Sequence, residues 1–299
     1  MKLREHASAR EFLAAAAPVL EADEARHNLG FGICSTLIAS PETYPDFHLW
    51  TVDDDGAVVG AALRTPPHNL WLARPLRAGA VDFLATELAA RGVELPGANG
   101  ATEEVEQFVE IWEAQTGLWG LLRRRMGIYA LSTPQLPEGV QGRLRDATAA
   151  DRSLLEQWLH AFHAEAIGDA APLDDAASWV DRRLRGEAAG VVIWDDGGPV
   201  AFAGYGGETP NGIRIGPVYT PPDHRRRGYG SALTAALSRR LLAEGRRFCF
   251  LFTDLANPTS NRIYRAIGYE RVCDAEEFEF TTEPRSGRRA ARAPARRRD

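Results

Sequence analysis

The chain has 299 residues, 44% hydrophobic and 25% charged, with a formal net charge of −6. At roughly 150 residues per domain this length predicts about two domains, and the balance excludes a disordered, collagen-like or low-complexity polymer. The longest strongly apolar run, Phe12–Leu20, is nine residues against the roughly 20 needed to span a bilayer. No membrane span is expected. Glu5, Glu11, Pro18, Glu21 and Asp23 interrupt the same stretch, so it does not read as a secretion signal either.

Three cysteines, Cys34, Cys249 and Cys273, form no CxxC pair and predict reduced, mostly buried thiols in a cytoplasmic protein. Charge is distributed unevenly. Residues 285–299 carry seven Arg and one Asp, which leaves −12 for residues 1–284. An acidic body with a short basic tail predicts no nucleic-acid binding domain. The tail, 284–299, lacks apolar periodicity and is expected to be disordered.

In chain order, Ser8–His27 is alanine-rich and helical. His48–Val52 and Ala57–Leu63 flank Asp53-Asp54-Asp55-Gly56 and predict a hairpin. Asn69–Ala73 is a third short strand, followed by helical periods at Ala80–Arg91 and Thr102–Gly117 and a strand at Met126–Leu131. Ser132–Gly139, with two prolines and a glycine, reads as a linker. The order then begins again. A short strand at Gln141–Asp146 precedes a helix opened by Thr148-Ala149-Ala150-Asp151 and reaching Ala166, then a helix at Asp174–Arg185. Val191–Trp194 and Pro199–Gly204 form a second hairpin, and Ile213–Thr220 a strand. Gly228–Glu244 is helical, Phe248–Thr253 extended, Thr259–Ile267 helical, and Tyr269–Cys273 and Glu276–Thr281 are two closing strands. The repeat predicts an α/β (α+β) chain of two tandem mixed-sheet units, 1–133 and 141–283, joined by a linker at 134–140.

Chemistry concentrates after the strand Ile213–Thr220. The turn Asp223-His224-Arg225-Arg226-Arg227-Gly228-Tyr229-Gly230 runs into a helix at Ser231. Amides at a helix start are unpaired and the helix dipole adds positive potential, so an anion, typically a phosphate, is the natural ligand. No Gly-Lys-Ser/Thr is present, and Leu233 stands where a dinucleotide fingerprint needs its third glycine. Pro217 has no N–H and predicts a bulge or splayed edge, leaving main-chain groups of Val218 and Thr220 for an amide-rich ligand to pair with as a pseudo-strand. Downstream, Asn257 suits an N-cap, Pro258 the first helical position and Gly268 the position past the end. Asn257, Asn261 and Tyr264 lie near one helix face.

Arg225-x-x-Gly228-x-Gly230 after Val-Tyr-Thr-Pro-Pro resembles motif A of the GCN5-related N-acetyltransferases, the GNAT superfamily. The resemblance covers 141–282. The first half matches in element order alone, with no such loop after Arg64-Thr65-Pro66-Pro67, and is similar to a degenerate copy. What the resemblance implies is an acetyl-CoA-dependent N-acetyltransferase with coenzyme A held by Val218, Tyr219, Thr220, Arg225, Arg226, Arg227, Gly228, Tyr229, Gly230, Ser231 and Asn257. Tyr264 would sit by the thioester sulfur. The acceptor would be an amine of a small molecule or peptide, with no metal required. An amine near pKa ~10 must lose a proton before attack and the thiolate (pKa ~8.5) must regain one, for which a tyrosine hydroxyl is a competent acid. The N–H of Val218 is the candidate oxyanion donor. Some family members place a glutamate on the strand before the loop as base; here Arg214 lies about where it would be, leaving Glu208, Asp254 or a water chain open. Alternatives are a non-catalytic acyl-CoA-binding module and a mycothiol-synthase-like tandem enzyme. His160-x-x-His163 with Glu156 and Glu165 is a weak metal pattern better read as a helix face, and Trp112, Trp119 and Trp158 read as packing anchors.

Overall fold

A computed structural model describes residues 1–166, 168, 175–186 and 189–283; the arginine tail lies outside them. The first half comprises β1 (Lys2–Glu5), α1 (Ala9–Leu20), α2 (Asn28–Ala39), β2 (His48–Asp54), β3 (Ala57–Arg64), β4 (Leu70–Leu72), α3 (Ala80–Ala90), β5 (Gly97–Ala101), α4 (Thr102–Thr116) and β6 (Trp119–Leu131). The second repeats it as β7 (Arg143–Asp146), α5 (Arg152–Ala166), α6 (Ala176–Arg185), β8 (Gly190–Asp195), β9 (Pro199–Gly206), β10 (Gly212–Tyr219), α7 (Tyr229–Ala243), β11 (Phe248–Asp254), α8 (Pro258–Ala266) and β12 (Glu270–Thr281). Four strands meander antiparallel in each half, and the fifth runs parallel to the fourth. The chain is thus a tandem of two mixed α/β units of one topology.

All twelve strands join one sheet, ordered β1-β2-β3-β4-β5-β12-β6-β11-β10-β9-β8-β7. The sixth strands are exchanged: β6 of the first half pairs with β11, and β12 of the second with β5. The two then pair with each other from Glu270↔Ala130 to Thr281↔Trp119. Helices cover both faces. In the second half, β8 alternates Val191 and Ile193 toward α5 and α6 with Val192 and Trp194 toward α7. Burial on both faces explains why such strands read as continuous apolar text. Trp112 of α4 is stacked between Phe108 and, across the exchange, Phe280 of β12, at 5.6 and 5.7 Å. Trp158 is buried as expected; Trp119 is only half-buried.

Several expectations need correction. The helix α2 was missing from the sequence reading because Gly30 and Gly32 depress its helix propensity. Strand β5, Gly-Ala-Asn-Gly-Ala, has almost no β propensity; it is a strand because β4 and β12 pair with it on either side, and it needs glycine at 97 because a Cβ there would meet the Phe278 carbonyl of β12 at 2.0 Å. The two closing strands are one strand, β12, with a register shift between Arg271 and Cys273. β6 begins seven residues before Met126, and β1 was unforeseen.

The start of α5 follows its sequence signal. Thr148 N–H and hydroxyl both donate to Asp151 Oδ2, at 2.8 and 3.0 Å, and Arg145 forms a fork on the same carboxylate at 2.8 Å. The Arg145 guanidinium holds the Asp151 carboxyl down to about 2. The three cysteines are free, and burial pushes the Cys34 and Cys249 thiols up to about 12. No helix among the described residues is long and apolar enough to cross a membrane.

Two outcomes follow from this architecture. A fragment ending at residue 139 leaves β5 and β6 without the strand between them, so it is expected to show no cooperative melt by far-UV circular dichroism; a sharp transition like that of the full chain would refute the exchange. Because the folded value of Asp151 lies below its unfolded one of ~3.9, its stabilisation is complete above pH ~4 and is lost as pH falls toward 2. Asp151→Asn is therefore expected to cost about 2 kcal/mol at pH 7 and to flatten the acid limb between pH 4 and 2 in urea titrations. An unchanged limb would exclude that role.

Candidate active site

Strand β10 begins paired with β11 at Gly212–Arg214 opposite Phe248–Phe250 and pairs with it no further. Its partner on the other side, β9, is followed with a register shift between Ile215 and Val218, where the Gly216–Pro217 peptide is cis. Pro217 has no N–H to place in a ladder, so the bulge falls where the sequence predicts it. Past Arg214 the two strands splay, while β11 stays secured on its far side by β6 from Cys249 to Asp254.

At the end of β10 the chain turns through Arg226 (φ 63°) and Gly228 (φ 83°) into α7. A Cβ at Gly228 would meet Val140 Cγ2 at 2.9 Å, so both backbone angle and space demand glycine there. The first helical amide with an intrahelical partner is Ala232, donating to Gly228 O at 3.0 Å. Those of Tyr229, Gly230 and Ser231 precede it and are free to meet an anion. The residues present therefore fit a phosphate-bearing ligand. The arginines are not all available to it. Arg225 donates to Glu165 at 2.5 Å and to Thr220 O at 2.9 Å, and Arg227 lies 4.8 Å over the Tyr229 ring and 3.6 Å from Asp196. Arg226 is exposed. The hydroxyl of Tyr229 donates to Asp196, which raises its pKa.

Tyr219 turns its side chain away from the splay into the α5–α6 core, where its hydroxyl donates to Glu165 at 2.9 Å; burial and that carboxylate raise its pKa. Glu165 thus braces β10 and the loop together. It and His163 belong to α5, and among the described residues no three His, Cys, Asp or Glu side chains gather for a metal.

On α8, Asn257 caps the helix as expected, its Oδ1 accepting from Ser260 N–H at 3.1 Å. Asn261 points inward and clamps the β11–α8 turn, donating to Asp254 O at 2.9 Å and Asn257 O at 2.8 Å. Tyr264 packs edge-on to Tyr269, ring centres 6.0 Å apart. Burial pushes its hydroxyl up to about 12.

A cavity of about 680 Å³ opens between the halves. It brings together Val218, Asn257 and Tyr264, but Tyr219, Thr220 and the loop from Arg225 to Ser231 do not line it. Glu208, one of the bases left open by sequence, is ion-paired with Arg246 and does not line it either. Asp254 does, with one oxygen accepting Ala256 N–H at 2.7 Å. Sequence reasoning missed Tyr44 of the first half, Arg183 of α6 and Glu276 of β12, all cavity-lining. Nothing local marked them, because three distant segments converge there. No cysteine lines the cavity among the described residues.

Residues 152–269 match the model of the acetyltransferase (GNAT) family. No curated protein matches the chain. Similar solved structures include a Drosophila protein (TM-score 0.66, 14% identity, covering 94% of this chain and 98% of that one). A tandem GNAT protein from the clavulanic acid biosynthesis pathway is similar at TM-score 0.59 and 15% identity, covering 95% and 99%. So is a GNAT-family acetyltransferase from Colwellia psychrerythraea, at 0.57 and 14%, covering 94% and 100%. At such identities the likeness is one of fold.

The loop geometry makes a contrast that stability measurements can read. Gly228→Ala is expected to destabilise by about 1–2 kcal/mol, from a left-handed backbone that a Cβ disfavours and from the Val140 contact. Gly230→Ala, 3.4 Å from Thr220 Oγ1, should stay within about 0.5 kcal/mol. Equal urea midpoints for the two variants would overturn this account.

Proposed function

We propose, from the match of residues 152–269 to the acetyltransferase (GNAT) family model, that the protein is an acetyl-CoA-dependent N-acetyltransferase. It would pass the acetyl group directly to an amine of a small molecule or peptide. The observation that carries this reading is the splay of β10 from β11 beside the free amides that open α7. Main-chain groups of Val218, Tyr219 and Thr220 hold the pantetheine arm, and the amides of Gly228, Tyr229, Gly230 and Ser231 hold the pyrophosphate, with Arg226 adding charge and Arg225 and Arg227 shaping the loop. Asn257, whose Oδ1 is committed to the helix cap, offers its Nδ2 to an amide carbonyl of that arm. The bound thioester supplies an activated acyl carbon.

Each remaining task falls to a residue of this chain. The N–H of Val218 faces the negative charge that develops on the acyl oxygen. Tyr264, held up to about 12, keeps its proton near neutral pH and returns it from Oη to the leaving sulfur. The amine proton goes to a cavity group: Asp254, Glu276 and His163 line the cavity with atoms able to accept it. The lack of a cavity cysteine favours direct transfer over an acyl-enzyme.

Acetyl-CoA and free coenzyme A are expected to raise the melting temperature of the wild type and not of Ser231→Glu. An acid at that third helical position suits the helix dipole, so the variant keeps its fold while repelling phosphate. No shift in wild type would sink the cofactor assignment. Tyr264→Phe is expected to lower kcat by about 10²-fold with the KM for acetyl-CoA unchanged; tight binding with no turnover in either protein would leave a non-catalytic acyl-CoA-binding module.

A further inference from the structure

Several partly buried arginines of this protein meet a carboxylate. Arg26 sits on Glu104 at 2.8 Å, and Arg145 on Asp151 and Asp195 at 2.8 Å. Two arginines of the cavity do not. Ile213 and Ile215 of β10 are buried toward α7, so strand alternation turns Arg214 to the opposite face, where it lines the cavity. Its Nη1 is buried without a hydrogen-bond partner. Gly32 of α2 and Gly207 come so close that a Cβ on Gly32 would lie 3.1 Å from the Gly207 Cα and 3.4 Å from Arg214 Nη2. The first half therefore closes over this guanidinium.

Arg183 reaches the same cavity from α6, its guanidinium 3.7 Å over the Trp179 ring and its Nε buried without a partner. Arg182 lines the cavity beside it. Neither Arg183 nor Arg214 is paired with a carboxylate among the described residues. Burial, with Arg182 and Arg214 nearby, pushes Arg183 down to about 9; burial also lowers Arg214, and Tyr44 among the described residues favours the charge of both. Each guanidinium is partly buried, with one nitrogen shut off from water and unpartnered, and a buried donor left unpaired costs free energy. A ligand anion would offset that, and a planar guanidinium presents paired donors suited to carboxylate or phosphate oxygens.

We propose that Arg183 and Arg214 form an oxyanion subsite in the acceptor region of the cavity, so that the acceptor is an amine that also carries a carboxylate or phosphate. The amine half of this statement rests on the acetyl-transfer reading; the anion half does not. Glu276, Glu277 and Asp254 line the same cavity. Glu276 keeps Oε2 buried and unpartnered while Oε1 accepts from Arg125 at 2.9 Å. Glu277 is paired with Arg124 at 3.5 Å and Arg26 lines this wall too, so its acids are balanced, whereas Arg183 and Arg214 face the cavity without a described carboxylate and an anionic group suits them. Arg214 stands on the strand where a base carboxylate is placed in some GNAT enzymes, and here it serves substrate choice.

The test uses the full chain, with the α7 loop blocked by Ser231→Glu, and reads melting temperature at constant ionic strength. Succinate and inorganic phosphate are each titrated against chloride. The expected result is a rise with at least one anion, identifying carboxylate or phosphate, and its loss in Arg214→Met and in Arg183→Met. Without anion, both substitutions should raise the melting temperature by about 2 °C, since each removes a partly buried guanidinium with an unpartnered nitrogen; a purely structural arginine would lower it. No anion-dependent shift, together with destabilised variants, would overturn the subsite. With acetyl-CoA, β-alanine and phosphoethanolamine are compared with β-alaninamide and ethanolamine. A preference of tenfold or more in kcat/KM for an acidic amine, erased by Arg214→Met, supports the proposal, and equal values for acidic and neutral amines count against it. The melting arm contains no acetyl-CoA. Its failure therefore refutes the anion subsite alone, and failure of acetyl-CoA to bind refutes acetyl transfer alone.

Discussion

A strand that carries a splayed cleft on one edge must be held firmly on the other. β11 is such a strand: β10 leaves it after Arg214, and from Cys249 to Asp254 its hydrogen bonds run to β6, a strand of the other half. Were β11 an edge, the cleft would be lined by a frayed strand with unpaired amides. By symmetry β5 is completed by β12. The exchange makes one sheet of two units, and it places first-half residues such as Tyr44 and Gly32 against β10 of the second. One half carries the glycine loop before α7, and both shape the cavity.

Charge is arranged on the same principle of proximity across distant segments. Surface arginines meet acids: Arg152 meets Asp181 and Glu156, Arg240 meets Asp146, and Arg225 meets Glu165. Such exposed pairs contribute little individually, but Glu165 also accepts from Tyr219, so it couples α5, β10 and the loop before α7. Against this background Arg183 and Arg214, unpaired with any described carboxylate, stand out. Their cost in stability is tolerable in a protein whose halves each complete the other's apolar core, Tyr129 and Leu131 in one and Phe278 and Phe280 in the other.

Where local signals were strong, the sequence could be read directly. Thr148 and Asp151 opened α5, Asn257 and Pro258 opened α8, and Pro217 marked the bulge, each through chemistry confined to a few neighbours. The weak elements were those whose reason lies elsewhere in the chain. β5 is composed of small residues because β12 presses against it, and α2 contains glycines where Trp71 and Gly207 approach. β12 was divided in two because Asp274 and its neighbours interrupt the apolar alternation, although β6 pairs with it on both sides of that point.

The glycine turn before α7, the bulge at Pro217 and the capped helix after β11 that carries Asn257 and Tyr264 are properties of contiguous residues, and the sequence by itself determined them, because caps, prolines and glycines act within one or two turns. Which strand lies beside which, and hence which half completes the other's sheet, was decided by the tertiary structure alone, since β6 and β12 satisfy their hydrogen bonds with partners more than a hundred residues away. The same holds for the cavity. Arg183 and Arg214 are ordinary residues of a helix and a strand until folding partly buries them in one cavity, with no carboxylate paired to either among the described residues.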